Sequence, residues 1–522
     1  MMTRRLSLLT HPESAAVRQV SALNRRLPDL SHRVPTPRLG LACALMLVSM
    51  VLLMLARVVP LPGWLPLLGE RMFGVPTPVI GRVTLYTVAL VLLFGSYVYA
   101  LYCVHRSESA RLGRMVVAFT GLLTLPGVIN PDLFSNDVYG YIFYGRMYFV
   151  HGLNPYVVLP GDAPPDPFIS WVDWRNLISP YGPIWTSWSV LLDLVVPGGL
   201  GVHVVAYKVA GALMHLVNTL LIGAVVRKIS PHSTALAMAA YGWNPLPLTE
   251  FAGNAHNDAL MLLWVLAALV SYYYLRPLLG AALLGLAIAT KFTALLFLPF
   301  YMLALLRGQG GRRQRVQRIL AVCGLIAAVW VVSWLPYVRD GGWRQMFALP
   351  PQSEWYLNSL PAVVYNALRD LIVSLWKLAP VHAGDIADGL VRTLSIALIL
   401  IVGLRLGRRI QGRSDLVEMW FWLLFAYLFF AGPYFWPWYA TSLVVLAAIS
   451  RQRYVLLVTT VLSLNALLVY SCSNCHTYFR GVSDSSLTGL VIFLLPLLTL
   501  AVVMLRDSAQ RAAALERIPE LG

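Results

Sequence analysis

Apolar residues fall in long unbroken runs divided by short polar gaps. The runs are 39–56, 83–104, 115–129, 202–226, 234–249, 259–275, 278–306, 319–337, 389–404, 417–431, 439–450, 454–471 and 486–505. A helix needs roughly 17–25 such residues to cross the hydrocarbon core. Helices are expected because backbone polar groups in lipid must be satisfied within the segment. The run at 278–306 is longer than one crossing needs and reads equally as two short helices around Lys291. With that ambiguity and another at 361–376, the pattern predicts about 11–14 spans. The fold class is an all-α polytopic membrane protein.

Composition agrees. Of 522 residues, 58% are hydrophobic and 12% charged, against about 25% charged in soluble domains. The net charge of +17 would suit a nucleic-acid binder, but its distribution argues for topology instead. Arginines crowd the N-terminus (Arg4, Arg5, Arg18, Arg25, Arg26, Arg33, Arg38), 106–114, 307–318, 405–413, 451–453 and the tail after Arg506. The positive-inside rule places these gaps in the cytoplasm, so no nucleic-acid partner is expected. About 38 mostly polar residues precede the first run, which is not the form of a signal peptide. The expected organisation is a cytoplasmic segment 1–38, one multi-span domain 39–505 and a cytoplasmic tail 506–522.

Counting from a cytoplasmic N-terminus, residues 130–201 form a large outer loop with six aspartates (132, 137, 162, 166, 173 and 193) and two arginines, Arg146 and Arg175. Further outer loops fall at about 338–360, at "GPYFWPWY" (432–439) and at "SNCHTYFRG" (473–481). Cys43, Cys103 and Cys323 lie in or beside apolar runs and read as small packing residues; Cys472 and Cys475 could pair at an outer end.

Four stretches carry candidate chemistry. In "SNDVYGYIFYGR" (135–146) a helix over 136–151 would put Asp137, Tyr141, Tyr144, Tyr148 and His151 on one face. Asn136 is placed to cap it, and it would lie in the interface with its apolar face in lipid. An aromatic belt explains the tyrosines equally well, but not a carboxylate at Asp137. "RNLISPYGPIW" (175–185) is a rigid turn around Tyr181, with or without a ligand. "WNPLPLTEFAGNAHNDAL" (243–260) sets Glu250, His256, Asn257 and Asp258 at membrane depth, where ionisable groups are costly and default to function. For Asn257 or Asp258, helix capping is the competing explanation. In "GLAIATKFTALLFLPF" (285–300), Lys291 either snorkels or meets a phosphate. No HExxH motif or Cys/His cluster is present, and His256 and Asp258 lack i, i+4 spacing. Oxygen ligands for Mg²⁺ exist, but no resident metal or other cofactor is expected.

In order and spacing, "NDVYGYIFYGR…HGLNPY", "SPYGPIW", "WNPL…GNAHNDAL" and "GLAIATKFTALLFLPF" resemble the bacterial polyprenyl-phosphomannose-dependent α-1,6-mannosyltransferases of the GT-C superfamily. The resemblance covers 135–300. It implies GT-C architecture, a polyprenyl-phosphate sugar as donor, a lipid-linked glycan as acceptor, and an outer-face site in the cell membrane that inverts to an α linkage. It also implies a catalytic acidic residue in the first large outer loop, where "NDVY" puts Asp137. Members more often carry that loop after the first span, so either helices have been added in front here or a span is miscounted. An inverting transfer needs one base and cations for the departing phosphate; Arg146, Arg175, His256 and Lys291 are the candidates. Tyr141, Tyr144, Tyr181, Glu250, Asn257 and Asp258 complete the expected substrate contacts. Two readings compete: the same fold with another sugar, and a transporter or flippase with Asp137, Glu250 and Lys291 along its path. Transporters usually show internal repeats, and none is apparent.

Overall fold

The computed structural model describes residues 36–58, 77–107, 109, 111–131, 133–307, 310–348, 354–410, 415–472 and 485–516. Among them regular structure is helical, apart from one bridge pairing Leu357 with Tyr434. The helices are α1 (Thr36–Val58), α2 (Thr77–His105), α3 (Leu112–Ile129), α4 (Asp137–Phe149), α5 (Pro183–Val195), α6 (Leu200–Ile229), α7 (Thr234–Gly242), α8 (Asp258–Tyr273) and α9 (Pro277–Thr290). They continue as α10 (Leu298–Leu306), α11 (Arg312–Trp334), α12 (Leu360–Trp376), α13 (Pro380–Arg409), α14 (Leu416–Phe430), α15 (Thr441–Ile449), α16 (Arg453–Leu468) and α17 (Ser485–Glu516). Of the two cysteines that could pair, Cys475 lies outside the described residues.

Among the described residues, eight helices are long and apolar enough to cross a membrane; a bent pair, 245–253 with α8, makes nine. That is below the eleven to fourteen expected. The shortfall falls where apolar runs are built as short helices: α9, the stretch Phe292–Leu306, α14 and Pro437–Ile449. The run at 278–306 is indeed two pieces around Lys291, whose backbone is extended between α9 and a 3-10 turn, Phe292–Phe297. The run at 234–249 is not one span. Helix α7 stops at Gly242, Asn244 caps a turn through its contact with the Leu246 N–H, and Pro245 and Pro247 begin a new direction. A π-helical turn, Leu248–Gly253, follows, and the chain bends by 119° into α8. Non-helical backbone at such depth is tolerated only inside protein. Accordingly, residues 241–260 are all buried.

Helix α4 also departs from expectation. It does not rest on lipid: Val138, Ile142, Phe143 and Met147 are buried on one side and Tyr141 and Tyr144 on the other, between α5 and α6. Gly145 makes the close approach to α5, since a Cβ there would lie 2.6 Å from the Ser189 carbonyl oxygen. Asn136 makes no cap; its amide donates to Asp173 Oδ2 at 3.0 Å.

The turn at 180–183 binds the outer loop to the end of α9. A Cβ on Gly182 would overlap the Ala289 carbonyl oxygen and crowd that of Thr290, one residue before Lys291. Both opposing atoms are backbone and cannot swing aside. Gly182→Ala is expected to cost about 1–3 kcal/mol, read as a lower unfolding temperature in detergent. An unchanged temperature would mean the two segments are not in contact.

Candidate active site

Three segments far apart in sequence meet at one end of the bundle: the start of α4, the break between α7 and α8, and the extended residue between α9 and α10. Asp137, half-buried, is the first residue of α4. Its Oδ1 accepts from the Trp174 indole at 3.3 Å. Trp174 stacks in turn on Trp355 at 5.6 Å, and Trp355 meets Tyr434 edge-on at 5.7 Å, so aromatic rings flank the carboxylate. Tyr181 meets Tyr141 edge-on at 4.8 Å. The Tyr144 hydroxyl is occupied by the Leu177 carbonyl at 2.7 Å.

Lys291 donates to Asp258 Oδ2 at 2.6 Å, stands 3.5 Å from Asn257 Oδ1, and lies 4.6 Å from the centre of the Tyr439 ring. Asn257 occupies the cap position of α8 without a side-chain cap bond, and Asp258 is committed to Lys291, so neither serves as a cap. The lysine does not snorkel away from the protein. Tyr434 packs on Tyr439 at 6.2 Å, so the rings that begin at Trp174 beside Asp137 continue to the one beside Lys291. The carboxylate of α4 and the Lys291–Asp258 pair are joined by one aromatic wall.

Beneath it lies a second, sealed cluster. Glu250 is 0% exposed. Its Oε2 accepts from Asn254 at 3.0 Å and from the Tyr470 hydroxyl at 3.3 Å, while Oε1 has no partner among the described residues. His256 Nε2 is 3.2 Å from Glu250 Oε2, off the line of a hydrogen bond. Its Nδ1 is 3.3 Å from the Tyr141 hydroxyl, and its ring stacks on Trp438 at 3.9 Å. Ala255 holds a left-handed backbone, φ 59°, a conformation an alanine adopts only at a cost. That turn points His256 back toward Tyr141. Among the described residues no three His, Cys, Asp or Glu side chains are disposed to hold a metal ion.

The two arginines stand apart from this space. Arg146, on the far side of α4, bonds Asp166 Oδ2 at 2.8 Å, approaches Asp193 Oδ1 at 3.5 Å, and lies 4.1 Å from the Phe168 ring centre. His151 adds a 3.0 Å contact to Asp166, and His203 one of 3.2 Å to Asp193. Burial pushes the Asp166 carboxyl up, but Arg146, the Phe168 N–H and His151 outweigh it and hold it below the usual carboxylate range. Asp193 goes the other way, raised by burial in spite of Arg146 and His203. Arg175 is spent on the Val172 and Ser170 carbonyls. Both arginines brace the loop.

Because its carboxyl is depressed, Asp166 contributes stability above about pH 4 that is lost as pH falls through the lower folded value. Arg146→Met removes the one guanidinium shared by two buried carboxylates and leaves Asp166 with His151 and Asp193 with His203, and should cost about 3 kcal/mol. Thermal unfolding of the purified variant checks this; an unchanged midpoint would make the network ornamental.

Trp174, Trp438, Tyr439 and Tyr470 all line or back the site, and none was singled out from the sequence, where the outer-loop aromatics were expected only collectively to offer flat faces for stacking. All four lie in outer loops or at a span end, where they resemble interface anchors. Nor was Lys208, buried in α6, which donates to the Gly127 and Asn130 carbonyls at the end of α3. A lysine inside the run 202–226 was the available signal.

These features define an all-α, multi-span membrane protein with a carboxylate- and tyrosine-lined site at one end of its helices. The model of the alpha-(1->6)-mannopyranosyltransferase N-terminal domain matches residues 37–307, which contain all three converging segments. The chain belongs to the alpha-(1->6)-mannopyranosyltransferase family. It is 30% identical over 200 residues to alpha-(1->6)-mannopyranosyltransferase A of Corynebacterium glutamicum, across 37% of this chain and 39% of that protein. It is 29% identical over 223 residues to the Mycobacterium tuberculosis protein of the same name, across 41% and 42%. The B protein of Corynebacterium glutamicum is 24% identical over 252 residues, across 44% and 40%. The chain covers about 40% of the length of each of these relatives.

Proposed function

We propose that the protein transfers mannose from a polyprenyl-phosphate donor to a lipid-linked glycan on the outer face of the cell membrane, inverting to an α linkage. The observation that carries this reading is the aromatic wall that joins a half-buried carboxylate to a cation: Asp137 accepts from Trp174, the rings of Trp174, Trp355, Tyr434 and Tyr439 pack in succession, and Lys291 lies 4.6 Å from the centre of the Tyr439 ring. The acceptor hydroxyl attacks C1 of the sugar and its proton passes to Asp137. The bond from C1 to the phosphate oxygen breaks from the opposite side, and its electrons leave with the phosphate. Lys291 stabilises that departing charge, and Asp258 holds the ammonium in place. No resident metal is required for these steps.

The donor class has support of its own. An apolar groove of about 640 Å³ begins at Phe292 and Thr293, directly after Lys291, and runs along Leu296, Phe300 and Leu303 against α13. An isoprenoid chain lying there would bring its phosphate to the lysine. Trp174, Trp355 and Tyr434 offer aromatic faces for sugars.

The test uses sealed vesicles of known orientation, with labelled polyprenyl-phosphomannose and a mannoside acceptor supplied on one side. Outer-side product formation is expected. Substrate crossing the membrane without a new glycosidic bond would make the protein a transporter. A topology reporter near Asp162 that reads cytoplasm would overturn the outer-face placement.

A further inference from the structure

Among the described residues, the loop at 338–360 and the segment 361–376 place no side chain in hydrogen-bond contact with Asp137 or Lys291. Helix α12 and the start of α13 form a hairpin with its own small core of Ile372, Ala383 and Ala387. Helix α13 has thirty residues, about 45 Å at 1.5 Å each, against a hydrocarbon core of about 30 Å. Its end at Arg408 and Arg409 adjoins α10, because Arg307 donates to the Ile410 carbonyl. Its other end begins at Pro380, and Asp388 near that end accepts from Tyr356.

Between the two helices lies a cleft of about 860 Å³, bounded by Glu354, Tyr365, Arg369, Asp385, Asp388 and Arg392. It is within the size range of small-ligand pockets. Its chemistry is selective. Four carboxylates (Asp370 is the fourth) against two guanidinium groups disfavour a phosphate or other anion. So polar a wall disfavours an alkyl chain. Acceptors and donors placed side by side suit a neutral polyol, in which each hydroxyl both donates and accepts. Part of the wall is already fixed: Arg392 binds Asp388 at 2.6 Å, and Tyr356 and Tyr365 stack at 4.1 Å. Asp385, exposed on α13, has no hydrogen-bond or ion-pair partner among the described residues.

Two adjacent residues join this cleft to the site. Trp355 stacks on Trp174 at 5.6 Å, and Trp174 bonds Asp137. The next residue, Tyr356, turns the other way and donates to Asp388 at 2.9 Å. The stretch that follows is pinned, with Leu357 exchanging backbone bonds with Pro433 and Phe435.

We propose that the cleft between α12 and α13 is an extended acceptor subsite, holding sugars of the glycan that precede the one presented to Asp137. This rests on the transferase reading of the site. The consequence is a preference for longer acceptors, set by side chains outside the reaction centre.

The experiment compares wild type with R369A/D385A, both on the exposed lining of the cleft. Transfer kinetics are measured with a mannose disaccharide and with a mannose hexasaccharide, alongside direct binding of the unlabelled hexasaccharide by saturation-transfer NMR. Expected is about a tenfold rise in KM for the hexasaccharide with kcat retained, no change for the disaccharide, and weakened binding. Equal KM ratios in variant and wild type would overturn the subsite while leaving the transferase intact. Hexasaccharide binding that is lost in R369A/D385A but kept in D137N, with no transfer by wild type, would uphold the cleft and sink the reaction. Activity on the disaccharide serves as the internal measure of correct folding. If wild type and variant bind the hexasaccharide equally, the proposal fails whatever the kinetics.

Discussion

Asp137→Asn is expected to lower mannosyl transfer by about 10²–10⁴-fold, the range for losing a general base. The change keeps size and shape, so Trp174 retains an oxygen to donate to. The stability and the binding of both substrates should survive, because Asp137 is half-buried and bears no ion pair among the described residues. The loss should therefore appear in kcat with KM little changed, as for an interaction made in the transition state. Steady-state kinetics on monodisperse protein checks this. Retained kcat would remove Asp137 from the chemistry and turn attention to Asp258.

Lys291→Gln should cost about 10²–10³-fold in kcat, comparable to removing one preorganised donor from a developing negative charge. It has a second effect. Asp258 is 1% exposed, and a carboxylate left buried without its cation destabilises the fold. The two effects separate in the double variant K291Q/D258N, which removes both charges. Stability should return there while activity does not. If the double variant recovers both, Lys291 acts only through the fold.

The residues behind these two predictions differ from their surroundings in how legible they are from sequence. Asp137 and Lys291 stand out because each is an ionisable group beside or within an apolar run, which carries a solvation cost. The break of 278–306 at Lys291 was legible for the same reason. The break at Asn244 was not, since "WNPLPLTEF" remains apolar enough to imitate a span, and only the backbone bonds reveal the turn. Arg146 was expected among the cations for the departing phosphate, and is found paired with carboxylates instead. Its carboxylate partners, Asp166 and Asp193, are 20 and 47 residues away, and no local pattern encodes that pairing. The burial of α4 was missed because an amphipathic stripe looks the same against lipid as against α5 and α6. Aromatic loops carry the same ambiguity: Trp438 stacked on a buried histidine and a tryptophan at a headgroup have identical sequence signatures.

The most direct measurement is product analysis with the purified, detergent-solubilised full chain. It would be given polyprenyl-phosphomannose and a mannoside acceptor, with the new linkage and its anomeric configuration read by NMR. An inverting transfer with Asp137 as base and Lys291 at the departing phosphate predicts one added mannose in α-(1→6) linkage, formed without any nucleotide sugar. No new glycosidic bond, or a bond formed only from a nucleotide-linked mannose, would contradict it.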